Sequence, residues 1–357
     1  MRIGIYDPYL DDLGGGEKYM MTAAVCLSKK HNVSVFWDNQ EDIEKLVKRF
    51  SFDFNGISFT KNIFSKKVGF LERLRATKKY DAIVLLSDGS IPFVMSKKLF
   101  IHLQQPLEKI GQSSTKDRLK LSRINAVFYN SEFTKSFNEK KIPGIKSLVI
   151  YPPVDLIEKN IKKENIILNV GRFRVINLKN NDYKKQQVMV DVFKKMIDKG
   201  LSKWRFVVAV SINDKEDPKF KEMTASAKGY PIEFLINKTN KDLWDVYNKA
   251  RIYWHASGFG EDLEKHPEYA EHFGISTVEA MGSGAVPVVV NAGGQKEIIE
   301  NGKDGFLWET LSELEERTKL LMGENSIWEK MSNHAKIKAK DFSKEKFCQE
   351  IEQLLVS

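Results

Sequence analysis

Cysteine is nearly absent: 357 residues carry only Cys26 and Cys348. Two cysteines so far apart make neither a CxxC metal pair nor a disulfide framework, which excludes a stapled secreted mini-domain and a zinc ribbon. Histidine is scarce too, six in all. Neither His255 nor His266 has a partner at metal-ligand spacing. Long apolar runs are missing: the longest, such as 206–210 and 286–290, fall far short of the roughly 20 residues that span a bilayer. Short-period repeats and low-complexity tracts are also lacking. Met1-Arg2-Ile3-Gly4-Ile5-Tyr6 reads as entering a strand directly, so no signal peptide is expected. A soluble, cytoplasmic chain is the expectation, at most peripheral at the inner face of a membrane.

What is present is ordinary globular material, 42% apolar and 29% charged, enough for a substantial core. The length suggests two domains. Lys and Arg number 57 against 48 Asp and Glu, a net charge of +9. Residues 1–155 hold 25 of those cations and 17 of those acids, so eight of the nine surplus charges lie there. Such a half could face nucleic acid, an anionic membrane or an acidic substrate. The plainer alternative is a solvated, lysine-rich surface.

Short apolar strands alternate with amphipathic helices. Segments 3–6, 33–36, 82–86, 99–102 and 126–129 read as buried strands, and 17–28 and 41–50 as helices between them. This alternation implies right-handed βαβ units and a parallel sheet. Pro152-Pro153 interrupts it, because each proline removes a donor and forces extended chain. The theme then repeats, with strands at 166–170, 206–209, 232–235, 252–255 and 286–290 and helices at 184–199, 241–249 and 276–281. Apolar Phe347, Ile351, Leu354 and Leu355 at helical spacing predict a terminal helix. The expectation is an α/β chain of two Rossmann-like domains with a cleft between them, 1–157 and 158–341, followed by a helix over 342–357 that packs back toward the first domain.

In open parallel sheets ligands bind beyond the carboxyl ends of the strands, and three motifs stand there. Gly14-Gly15-Gly16-Glu17 follows the first strand and opens a helix, so its amides can approach a phosphate closely. It matches neither the P-loop nor the dinucleotide pattern, and a plain strand-to-helix turn is the alternative. Gly171-Arg172-Phe173-Arg174, with Lys184-Lys185 ahead of the next helix, offers cations that could clamp a diphosphate or form a charged surface loop. The third runs from Glu271 through Gly274-Ile275-Ser276 to Glu279. Free amides at that helix start suit an anion, and a carboxylate beside them can accept hydrogen bonds from sugar hydroxyls.

Glu271 to Glu279, continued by AMGSGAVPVVVNAGGQKEIIENGKDGFLW, resembles the signature of the retaining glycosyltransferases of family 4, which have the GT-B fold. GGGEKY, FIHLQQP, NSEFTKSF, VIYPPVD and ILNVGRFR extend the resemblance over most of the chain and are similar to the mannosyltransferases of lipid-linked oligosaccharide assembly. The resemblance implies that the second domain binds a nucleotide-diphosphate sugar and the first binds the acceptor. Arg172 and Lys184 would hold the diphosphate, with Arg174 or Lys185 as substitutes because 177–183 is an insertion. Glu271 would bind donor-sugar hydroxyls and Glu279 those of the ribose. Gly274, Ile275 and Ser276 would contact sugar and phosphate through their amides. Gly15 and Gly16 would close over the phosphate, and His102 would contact the sugar.

The plainer reading of His102 is a hydrogen-bonded histidine at a strand end. The loop 258–270 is longer than in compact relatives and has no assigned role. The implied chemistry is front-face transfer with retention of configuration, the departing phosphate taking the acceptor's proton. No protein nucleophile, metal or cofactor is expected, and cations stand where Mg²⁺ would. The resemblance favours GDP-mannose, with UDP-sugars open, and a glycan or lipid-linked acceptor. Its basic half is expected to meet an anionic membrane or a phosphate-bearing lipid rather than nucleic acid, for it lacks a basic helix interleaved with aromatics. The alternatives are a nucleotide-sugar epimerase on the same fold and a non-catalytic nucleotide-sugar binding protein.

Overall fold

Val- and Ile-rich runs become strands buried on both faces, because the intervening helices leave neither face open to water. Ala82–Leu86 and Val286–Val290 have no exposed residue. A computed structural model describes residues 1–356 apart from 111–114, 174, 177–180 and 215–216, and apart from the side chains at 115–116, 175–176 and 181–182. Two units form: Met1–Pro153 with Lys344–Ser357, and Val154–Ser343.

Unit 1 runs β1 (Arg2–Tyr6), α1 (Gly15–Ser28), β2 (Asn32–Phe36), α2 (Gln40–Phe50), β3 (Ile57–Thr60), α3 (Phe70–Thr77), β4 (Ala82–Leu86), β5 (Lys98–Leu103), α4 (Thr115–Leu121), β6 (Ala126–Tyr129), α5 (Glu132–Asn138) and β7 (Ser147–Val149). The seven strands order as β3-β2-β1-β4-β5-β6-β7, and every pair is parallel. The chain builds outward from β1 to β3 and then resumes on the other side of β1, so β1 and β4 flank a topological switch point.

Unit 2 begins with β8 (Glu164–Arg172), a small antiparallel pair β9 (Val175–Ile176) and β10 (Asn181–Asp182), then α6 (Gln186–Asp198), β11 (Arg205–Ser211), α7 (Pro218–Ser226) and β12 (Ile232–Ile236). It continues with α8 (Asn240–Lys249), β13 (Ala250–His255), α9 (Ile275–Gly282), β14 (Val286–Val290), α10 (Gln295–Ile298), β15 (Phe306–Trp308), α11 (Leu311–Gly323) and α12 (Asn325–Ala339). The order β12-β11-β8-β13-β14-β15 places its own switch point between β8 and β13. Side-chain oxygens set several helix starts: Asp217 accepts from Lys219 and Phe220 N–H at 2.8 and 3.1 Å ahead of Pro218, and Thr310 and Glu313 exchange bonds at α11.

The terminal helix α13 (Lys344–Val356) belongs to unit 1. Its Phe347, Ile351, Leu354 and Leu355 are buried in the core that α1 shares, and Phe347 meets Tyr19 edge-on at 4.8 Å. The sequence reading of no disulfide is corrected here: Cys26 of α1 and Cys348 of α13 are bonded across 322 residues of chain. Sequence spacing carries no sign of this, because only the docking of α13 brings the two thiols together.

Candidate active site

In unit 2 the cluster forms at the carboxyl ends of β8 and β13 and the starts of α6 and α9. Glu271 sits in the loop between β13 and α9. Two glycines after β14 hold that loop. A Cβ at Gly293 would overlap the Glu271 carbonyl, and one at Gly294 would lie 2.5 Å from the His272 oxygen. Bare backbone there lets Gly294 N–H donate to the Glu271 carbonyl at 2.8 Å. The GG pair is therefore a structural clamp on the functional loop.

The Glu271 carboxylate accepts from Lys184 Nζ at 2.6 Å and from His255 Nε2 at 2.9 Å, both at Oε2. Glu271 and Lys184 side chains are 19% and 17% exposed, and His255 2%. Burial alone would raise the Glu271 carboxyl, but the Lys184 ammonium and the His255 hydrogen bond outweigh it and hold it well below the usual carboxylate range. Burial pushes Lys184 down; Glu271 more than reverses this and the ammonium ends up raised. The pair therefore stays charged through neutral pH. Burial lowers His255 despite Glu271, so the imidazole is neutral. Its Nε2 carries the proton, since an ionised carboxylate only accepts, and Nδ1 has no partner among the described residues. Tyr183 supports the arrangement: its ring lies 4.9 Å from Lys184 Nζ and its hydroxyl donates to the Ala270 carbonyl at 2.9 Å.

Lys185 caps α6 in a left-handed conformation and pairs with Glu261. The long loop 258–270 thus supplies a counter-charge to the second lysine. Arg172 closes β8, near enough to Lys184 for its charge to oppose that ammonium. Arg174 lies outside the described residues.

Gly274 caps α9 at φ 121°, a conformation that favours glycine. The amides of the first turn, at Ile275 and Ser276, have no intrahelical acceptor. Ser276 Oγ accepts from Tyr253 at 2.8 Å, and Glu279 Oε2 from Tyr247 at 2.9 Å. Glu271, Lys184, Lys185, Arg172, Gly274, Ile275, Ser276 and Glu279 thus all gather at one end of one sheet. This end can neutralise an anionic leaving group with cations and helix amides while a carboxylate accepts from hydroxyls.

Residues 155–340, about half of the chain and nearly all of unit 2, match the family model "Glycosyl transferases group 1". The chain belongs to the group 1 glycosyl transferases. A Dictyostelium discoideum relative described as GDP-Man:Man(3)GlcNAc(2)-PP-Dol alpha-1,2-mannosyltransferase is 26% identical over 228 residues, 58% of this chain and 42% of that one. One of the same description from Neurospora crassa is 27% identical over 219 residues, 51% and 35% of the two chains. The chain therefore spans well under two thirds of these relatives. The fold matches Anabaena Alr3699/HepE, solved in complex with UDP, at a TM-score of 0.73 and 18% identity over 100% of both chains. The two Rossmann-like units of this group 1 member are those of the GT-B fold.

The remaining sequence candidates lie in unit 1. Gly15 and Gly16 open α1 after β1. A Cβ at Gly16 would overlap the Gln104 amide, and Glu17 accepts from Gly14 N–H. His102 has no exposed surface. It is stacked on Tyr19 at 4.1 Å and Phe128 at 4.7 Å, and burial lowers its pKa to about 3. Nδ1 donates to the Phe128 carbonyl at 3.1 Å, which leaves Nε2 as an acceptor unpaired among the described residues.

Three functional candidates escape sequence reading. His255 looks like a core histidine until the fold sets it on Glu271. Gln295 is fully buried, and neither amide atom has a partner among the described residues. A Cβ at Gly274 would lie 2.5 Å from its Nε2. Asp7, just after β1, is fully buried with Oδ2 unpaired among the described residues, and burial, then Glu17, pushes its pKa up to about 8. The adjacency of Gln295 to the GG pair and of Asp7 to the glycine loop was the only available signal. Among the described residues no group of three or more His, Cys, Asp or Glu could hold a metal ion.

Proposed function

We propose that the chain moves a hexosyl group, mannosyl in the first instance, from a nucleotide-diphosphate sugar to a glycan or lipid-linked acceptor with retention of configuration. The carrying observation is the Lys184–Glu271–His255 cluster beside the α9 start. Glu271 is ionised and held by two donors, so it acts as a hydroxyl acceptor that orients the sugar rather than as a nucleophile. The bond from the anomeric carbon to the phosphate oxygen breaks and the bond to the acceptor oxygen forms on the same face. The acceptor's proton passes to the departing phosphate. Lys184, Arg172 and the α9 amides stabilise the charge that develops there, with Arg174 or Lys185 in support. No metal or further cofactor enters this scheme. The amides of Gly15 and Gly16 are assigned to the phosphate and Glu279 to the ribose; His102, expected at the sugar, has no exposed surface and fits the plainer reading of a hydrogen-bonded histidine at a strand end. GDP-mannose is the favoured donor, with UDP-sugars as the alternative: the mannosyltransferase descriptions support the first and the UDP complex of Alr3699/HepE the second.

No described helix is long and apolar enough to cross a membrane. Phe70 and Leu71 on α3, 57% and 66% exposed, and Leu119, 57% exposed, support peripheral contact with an anionic membrane, because Lys66, Lys67, Lys78 and Lys79 lie close in sequence. On this reading the chain works at the cytoplasmic face of a membrane. The Cys26–Cys348 bond weighs on the other side, since disulfides persist chiefly in oxidising compartments. A thermal-shift screen of GDP-mannose, UDP-glucose, UDP-galactose and UDP-N-acetylglucosamine tests the donor, for a ligand at 100 times its Kd stabilises by about 2.7 kcal/mol. Incubation with the donor alone separates transfer from epimerisation: an altered sugar overturns the transferase reading.

A further inference from the structure

Unit 1 has a pocket of about 700 Å³, within the range of sites that enclose a small ligand. Tyr6 ends β1, Leu85 and Leu86 end β4, and all three line it. The pocket thus occupies the switch point of the sheet, where open parallel sheets receive ligands.

Its charge is out of balance. Lys66, Arg73, Lys109 and Lys120 line it against Asp88 and Asp117. Lys120 is paired with Asp117 at 3.2 Å. Asp88 is already engaged: it accepts from the Ser90 amide and hydroxyl at 3.1 and 2.8 Å and from the Tyr9 hydroxyl at 3.0 Å. Lys66 and Lys109 have no acidic partner among the described residues. Arg73 is held by Nε, which donates to the Ile63 carbonyl at 3.1 Å, and by the Phe64 ring at 5.8 Å. Its terminal nitrogens have no acceptor among the described residues, so the guanidinium is braced with its fork uncommitted. Beside these cations stand Phe64 and Tyr6, whose rings pack at 4.4 Å.

Asp88 stays ionised, so four cations face two acids and the pocket keeps two surplus positive charges, which repel one another less once a further anion joins them. A neutral glycan offers no such charge, and a duplex nucleic acid does not fit the volume. We propose that this pocket binds a phosphate ester, a mono- or diphosphate that Arg73 grips bidentately while Lys66 and Lys109 supply charge. The identity of that ester as the linkage phosphate of the acceptor rests on the transferase reading; the anion site itself does not. The helix that carries Arg73 also exposes Phe70 and Leu71, which puts an apolar surface beside the site and favours a lipid-linked ester.

The test titrates the whole protein by calorimetry in saturating UDP and GDP, which occupy any nucleotide site. The probes are inorganic pyrophosphate, glucose 1-phosphate and geranyl diphosphate. A single saturable site is expected, weakened about tenfold or more by the double variant Lys66→Glu/Lys109→Glu. Both positions are exposed, so the fold is expected to be kept, and the nucleotide-induced thermal shift serves as the control. Arg73→Gln is the second variant. Tighter binding of geranyl diphosphate assigns the site to a lipid diphosphate, and tighter binding of glucose 1-phosphate assigns it to a sugar phosphate. If no probe binds, or if the charge-reversed protein binds all three unchanged, the pocket is not a phosphate site. If every nucleotide and nucleotide sugar fails to shift the melting temperature while pyrophosphate binding still depends on Lys66 and Lys109, the transferase reading fails and the anion site stands.

Discussion

The two units place their polar clusters at the same topological position and treat charge in opposite ways. At the β8–β13 switch point of unit 2 cations are compensated: Lys184 meets Glu271 and Lys185 meets Glu261. At the β1–β4 switch point of unit 1 Arg73, Lys66 and Lys109 are uncommitted among the described residues, and burial pushes the pKa of Asp7, just after β1, up to about 8. Compensated charge keeps its geometry without a ligand and needs little rearrangement when one arrives. Uncompensated charge is a standing cost that a ligand relieves. On the proposed reading this is a division of labour, with unit 2 preorganised for chemistry and unit 1 for capture.

The sharpest way to break this comparison is Glu271→Ala. Transfer is expected to fall by about 10²–10³-fold, the scale for losing a preorganised polar contact at the reacting centre. Lys184 is also left uncompensated, at a cost of about 2–3 kcal/mol, a partly exposed pair losing less than a fully buried one. Adding Lys184→Met should restore the stability seen in urea unfolding but not the turnover. Recovered turnover would remove Glu271 from the mechanism.

Next in size is the Cys26–Cys348 bond, which staples unit 1 only. Cys348→Ser should cost unit 1 about 2–5 kcal/mol and leave unit 2 unchanged. Calorimetric scans with and without reductant check this, and equal destabilisation of both transitions would refute it.

The units should also differ in the sign of their pH dependence. Asp7 holds its proton to about pH 8 in the folded chain and loses it near pH 4 when unfolded. Unit 1 therefore loses stability as pH rises between those values, by at most ~1.4 kcal/mol per pH unit. Glu271 is shifted downward, so its stabilisation of unit 2 is present above about pH 4.5 and is lost as pH falls below that. Denaturant unfolding at pH 6 and 8 should show the first slope, and Asp7→Asn should flatten it.

The smallest expected effect is at Gln295. Replacing an unpaired buried amide with Leu should leave stability within ~1 kcal/mol or raise it. Nucleotide affinity should fall if the amide serves the ligand, and calorimetric Kd values decide this.

Much of the fold was legible in the sequence, and the reasons are local. Segments 82–86, 126–129 and 286–290 read as strands and are strands to the residue, because a short apolar run without a charged residue has one use in a sheet covered on both faces. The edge strand Ile57–Thr60 was missed, since ISFT is short and only partly buried. Helix α3 was missed because it is only eight residues long and its Phe70 and Leu71 are exposed, so its apolar residues mark no face turned to the core. The 271–279 motif was legible because its glycines and acids are close in sequence. His255, Gln295 and Asp7 were not, because each gains its partner or its isolation from a different strand or loop.

The sequence by itself determined the alternation of strands and helices, the family, and the residue types at the carboxyl ends of the strands, all properties of neighbours along the chain. Tertiary structure decided which of those residues carry charge. The same carboxyl group is ionised at Glu271 and protonated at Asp7, because only the fold sets an ammonium 2.6 Å from one and seals the other from water beside a second acid. It also decided that two distant thiols would bond, and that Lys66, Arg73 and Lys109 would share a pocket with Asp88 as the one acid not already paired to a lysine there.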